Sequence, residues 1–95
     1  MQLKAAGNQL TITDNIKSIE DFQHIKTQLD EMKTKHASIN LRIVDSLSIT
    51  SSVIGYLMKL THKENIRITI LAGDERLLHL LNDLGLSQEF NAKKA

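Results

Sequence analysis

The sequence predicts a single α/β domain with a mixed, mostly parallel central sheet and helices packed against it. Three observations carry that expectation. Apolar residues alternate singly in four short segments, the period of half-buried strands, and recur at steps of three and four in three longer ones, the period of amphipathic helices. The segments run strand, strand, helix, strand, helix, strand, helix, and strand–helix–strand units imply parallel pairing with right-handed crossovers. Finally, 95 residues suffice for one small domain and not for two.

Each element has its own signature. "LKAAGNQLTIT" reads as two strands around Gly7-Asn8, a glycine-first pair suited to a type II′ or I′ turn. In the second strand, Leu10 and Ile12 alternate with Thr11 and Thr13. "SIEDFQHIKTQLDEMKTK" puts Ile19, Phe22, Ile25, Leu29 and Met32 on one helical face. Ser18 with Asp21 has the capping-box spacing, while Glu20 and Asp21 at the start and Lys33 and Lys35 at the end suit the helix dipole. "SINLRIV", Ser38 to Val44, is the next strand, with Ile39, Leu41 and Ile43 on one side.

A second helix follows, with Val53, Ile54, Leu57, Met58 and Leu60 as its apolar residues and an end near Thr61. "IRITILA" repeats the strand pattern through Ile66, Ile68 and Ile70. Gly73-Asp74 opens a third helix whose buried stripe is Leu77, Leu78, Leu81 and Leu84, and Gly85 stands where a left-handed C-terminal cap is wanted. Leu86 and Phe90 are expected to fold back onto the core, and residues 91–95, "NAKKA", to fray.

Composition narrows the function classes. Hydrophobic residues at 41% and charged residues at 24% are those of an ordinary globular protein, and aromatics at 3% leave an aliphatic core. A formal net charge of +1 argues against nucleic acid or an anionic membrane as the obligatory partner. No apolar run approaches the roughly 20 residues of a membrane span, and "MQLKAAGNQL" lacks a signal-peptide core. The expected setting is the cytoplasm. Without cysteine, disulfides, zinc–thiolate sites and thiol nucleophiles are excluded.

The stretch that stands out is Thr50-Ser51-Ser52, three hydroxyls where the second helix begins. One hydroxyl there is an ordinary N-cap; three exceed that need. The cluster lies on the connection leaving the carboxyl end of a strand, the side on which open parallel sheets bind ligands and partners. Other chemistry finds little support. No glycines flank the serines as a nucleophile elbow requires, so a serine hydrolase is the weakest reading. His24, His36, His62 and His79 show no metal-ligand spacing, and no Walker A or G-x-G-x-x-G segment occurs. No cofactor is therefore expected. Lys59, His62, Lys63 and Arg67 read as a solvated basic helix end.

From Ile39 to Phe90 the chain resembles the STAS domain, typified by bacterial anti-sigma factor antagonists. That family carries a "D-S-[ST]-G-L-G" segment opening the helix after a strand, and a later Leu-Gly-Leu before a closing Phe. Here "INLRIVDSLSITSSVIGYL" aligns without a gap, with Ser51-Ser52 on the Ser pair and Gly55 on the second Gly, and "LLNDLGLSQEF" supplies Leu84-Gly85-Leu86 and Phe90. The first third matches by element order alone. Thr50 stands in place of the motif's Asp, Val53 in place of its first Gly, and Arg42 where the preceding strand usually carries Asp.

The resemblance implies a non-enzymatic binding module controlled by phosphorylation of Ser51, with Ser52 and Thr50 as alternative acceptors. It implies a partner-binding surface around Thr50, Ser51, Ser52, Val53 and Ile54. The implied partners are a serine kinase or anti-sigma factor-like protein and a metal-dependent serine phosphatase. The alternative is a constitutive, non-phosphorylated STAS scaffold or accessory subunit of a signalling or lipid-transport assembly.

Overall fold

In the computed structural model, which describes residues 1–95, β1 (Gln2–Ala6) and β2 (Gln9–Thr13) form an antiparallel hairpin with Ala6 opposite Gln9. β2 then runs parallel to β3 (Ser38–Ile43), β3 to β4 (Arg67–Ala72), and β4 to β5 (Lys93–Lys94). The sheet order is β1-β2-β3-β4-β5. Helices α1 (Ile19–Met32), α2 (Ser51–His62) and α3 (Glu75–Asp83) fill the connections. The chain is a small α/β protein with a mixed five-stranded sheet, antiparallel at β1–β2 and parallel elsewhere.

Period two sets the faces of the sheet. Leu10 and Ile12, then Ile39, Leu41 and Ile43, then Ile68, Ile70 and Ala72 are all buried. Ile25 and Leu29 of α1, Leu57 and Leu60 of α2, and Leu77 and Leu81 of α3 join them in one cluster. Each such Leu or Ile side chain contributes about 1.5–3 kcal/mol by leaving water. The residues between them in the strands face away from the cluster, so the helices cover one side of the sheet and leave the other open.

The caps follow the sequence closely. At α1, Ser18 Oγ accepts from the Asp21 N–H at 3.1 Å, and the Asp21 carboxylate accepts from the Ser18 and Lys17 N–H groups at 3.2 and 3.0 Å. The shorter Asp thus serves the box and an additional donor. At α3, Gly85 has φ +73°, and the Leu86 and Gly85 N–H groups reach the carbonyls of Leu81 and Asn82 at 2.8 and 3.0 Å. Those two bonds are a Schellman closure.

Several side-chain expectations are corrected. Ile19 is 66% exposed, and burial deepens along its face through half-buried Phe22 to Ile25 at 1%, so α1 meets the core obliquely. Leu84 is 52% exposed because α3 stops at Asp83 and Leu84 is the cap residue, turned out of the stripe. Met58 is 37% exposed, and Tyr56 takes the buried place on α2 instead. Residues 91–95, expected to fray, carry β5. Lys93 lies beside Leu71, and the Ala95 N–H donates to the Ala72 carbonyl at 2.8 Å. Phe90 does fold back, with no exposed surface.

Candidate functional site

The carboxyl ends of β2, β3 and β4 converge on the loops that launch α1, α2 and α3. These loops are laced to one another. Asp14, in the left-handed region at φ 73°, donates its N–H to the Asp45 carboxylate at 2.7 Å. Leu47 donates to the Asn15 side-chain carbonyl at 3.0 Å. The Ser46 hydroxyl, fully buried, accepts from the Ile16 N–H at 3.1 Å and donates to the Ser48 carbonyl at 2.6 Å. A buried hydroxyl satisfied in both directions is a fixed strut.

The third loop is held as tightly. Gly73 donates its N–H to the Ile43 carbonyl at 2.8 Å, and a Cβ placed on Gly73 would stand 2.1 Å from the Val44 carbonyl oxygen. Only a residue without a side chain fits there. The β3–α2 connection therefore leaves the sheet on a braced platform, and buried Ile49 pins its last residue before the hydroxyl cluster.

On that platform the three hydroxyls divide their roles. Thr50 is the N-cap: its backbone is extended, and its Oγ1 accepts from the Val53 N–H at 3.3 Å. Ser51 and Ser52 are the first two helical residues, both exposed, and neither hydroxyl makes a hydrogen bond within the chain. Val53 is buried at 2% exposure, so its side chain belongs to the core and not to the presented surface, and Ile54 is half-buried. The exposed strip of α2 continues through Gly55, Met58 and His62, one residue per turn.

Electrostatics leave this helix start open to negative charge. The first turn of α2 contains no carboxylate, while Lys59 and His62 occupy the last turn. The positive end of the helix dipole is unneutralised by the helix's own side chains. The concavities of the surface lie elsewhere, along β1–β2, along α1 and at the end of α3; none reaches residues 44–54. An exposed helix start outside these concavities suits contact with another macromolecule better than enclosure of a small ligand.

Gly55 adds a signal the sequence carries without explaining. It sits inside α2 with ordinary helical backbone, and a Cβ there would meet nothing within 4 Å. The fold itself makes no demand for glycine at this position. No helix of the protein is long and apolar enough to cross a membrane. Comparison with known family profiles, curated proteins and solved structures finds no match to this chain.

Proposed function

We propose that this chain is a STAS-type regulatory binding module, an anti-sigma factor antagonist-like switch that holds a kinase or anti-sigma-type protein and releases it when Ser51 is phosphorylated. The observation that carries this reading is the division of labour at the start of α2. Thr50 does the capping, so the Ser51 hydroxyl is unoccupied and exposed in the first turn. A phosphate there adds about −1.5 to −2 charges at the end of the helix that tolerates them. The fold keeps its cap and its core, while a docked partner meets a hydrated dianion. Gly55, one turn on in the same exposed strip, lets a partner approach the helix backbone closely.

In this reading the protein is a substrate and a docking surface and performs no catalysis. A metal-dependent serine phosphatase resets it. The test is binding of the captured and purified partner to Ser51→Ala and Ser51→Asp proteins, with phosphopeptide mapping of residues 50–52 from cells. Ser51→Ala binds permanently, and Ser51→Asp binds more weakly by about 1–3 kcal/mol. Equal binding by both, with no phosphate on the three residues, discards the switch. One observation favours the second reading, a constitutive scaffold or accessory subunit. Thr50 stands where the family's motif has its carboxylate.

A further inference from the structure

The open side of the sheet carries a feature that the α2 reading does not use. The strand registers align Lys4 with Thr11, Thr11 with Arg42, Arg42 with Leu71, and Leu71 with Lys93. Residues paired across a sheet share a face. Lys4, Arg42 and Lys93 therefore form one transverse row on the uncovered face, a cation on every second strand. Neighbouring strands lie about 4.8 Å apart, which spaces the three charges about 10 Å from one another. All three are exposed, and none takes part in an ion pair. Arg67, also exposed and unpaired, lies on the same face four residues before Leu71.

The face is not merely basic; it is free of acid. No Asp or Glu occurs in any of the five strands, so the 11 carboxylate side chains lie in helices and loops. With a formal net charge of +1, a cluster of unpaired cations on one side leaves the remainder of the molecule net negative. That asymmetry orients an anionic partner onto the sheet.

We infer that this row binds an acidic polypeptide segment laid across the strands. A polyproline II-like segment advances about 3.1 Å per residue and turns once every three residues, so carboxylates three residues apart share one face and match the row. Two other anionic partners fit less well. Single-stranded nucleic acid is gripped by aromatic stacking, and the three aromatic residues, Phe22, Tyr56 and Phe90, all lie outside the strands. An anionic membrane is held by denser basic clusters or by inserted apolar side chains. Among the five residues of the row, Leu71 is the one apolar side chain, and it is half-buried.

The probe is a labelled synthetic peptide with glutamate at every third position between serine and glycine, against the same peptide with glutamine. The glutamate peptide binds and the glutamine peptide does not, and added salt weakens the complex. Arg42→Gln, at the centre of the row, weakens it about tenfold, and Lys4→Gln and Lys93→Gln a few-fold each. Lys35→Gln and Lys59→Gln, exposed cations on other elements, leave it unchanged. A shared urea midpoint shows that every variant is folded. Ser51→Asp protein binds the peptide as tightly as the parent, which separates this surface from the start of α2. The inference is overturned by equal binding of the two peptides, by equal losses in the control variants, or by a loss in Ser51→Asp. Tighter binding of oligothymidylate or phosphatidylserine vesicles than of the glutamate peptide also overturns it.

Discussion

Tyr56 on α2 donates its hydroxyl to the Asp30 carboxylate on α1, tying together two helices whose contacting residues lie 26 positions apart. The same carboxylate accepts from Lys26 at 2.9 Å and pairs with Lys33 at 3.5 Å, and Lys33 reaches Glu64 at 2.8 Å. Phe22 meets the Tyr56 ring edge-on with centroids 6.4 Å apart, and the Lys26 ammonium sits 5.3 Å from the ring centre. Burial first, and the bond to Asp30 second, push the Tyr56 hydroxyl above its usual range, so it remains a donor at any physiological pH.

Tyr56→Phe keeps the ring packing and removes that donor. The expected loss is about 1–2 kcal/mol, the scale of a hydrogen bond to a charged group whose partner keeps other contacts. A lowered urea midpoint with an unchanged slope reports it; an unmoved midpoint shows that Lys26 and Lys33 satisfy Asp30 alone.

The hydroxyls at the start of α2 separate in the same measurement. Thr50→Ala costs about 1 kcal/mol through loss of the cap. Ser51→Ala changes stability by less than about 0.5 kcal/mol, as for any surface residue without partners. If the two losses are equal, Thr50 is not the residue that caps the helix.

Two glycines respond to alanine with opposite signs. Gly55→Ala stabilises by about 0.5–1 kcal/mol, since the new methyl meets open space and the helix gains a better former. Gly73→Ala destabilises by about 1–3 kcal/mol, because its methyl must displace the Val44 carbonyl. Thermal melts of the two variants on either side of the parent check both signs.

Acid should weaken the fold through named carboxylates. The Arg76 guanidinium, followed by the Arg76 N–H, holds Asp74 down to about 2. The Lys17 N–H, ahead of the groups of Ser18, lowers Asp21 against its burial cost. At Asp30 burial is the largest single influence and acts upward; the bonds from Tyr56 and Lys26, with the charges of Lys26 and Lys33, leave the carboxyl lowered. A depressed folded-state pKa gives stability that is present above the unfolded value and is lost as pH falls through the folded one. Melting temperature should therefore hold above about pH 4 and fall toward pH 2, with the last part of the fall reduced in Arg76→Gln. A flat profile across that window contradicts these assignments.

How much of this was legible beforehand depends on the separation of the interacting groups. Ser18 with Asp21, and Leu84 with Gly85 and Leu86, act within one turn of chain, so their spacing announces them. The strand cores follow from alternation, which is equally local. Tyr56 and Asp30 carry no mutual signal, because their meeting depends on how α1 crosses α2. β5 escaped for another reason: "NAKKA" has no apolar period, and its pairing to β4 uses main-chain groups that every residue has. At the candidate site the position of the hydroxyl cluster was readable, but its division was not. Whether Thr50 or Ser51 caps is decided by a backbone angle and one bond of 3.3 Å.

Phe90, the largest fully buried side chain, brings one further consequence, for the order in which the protein is made. Its carbonyl accepts from the Ile70 N–H at 3.0 Å, so the interior beside β4 is closed by a residue translated twenty positions later. The parallel pairs β2–β3 and β3–β4 also join distant segments, and such non-local contacts form slowly. A nascent chain that has passed β4 but not Phe90 holds a sheet whose oily side is incompletely sealed. During that interval the unsealed apolar surface is exposed to the association that threatens any partly folded chain.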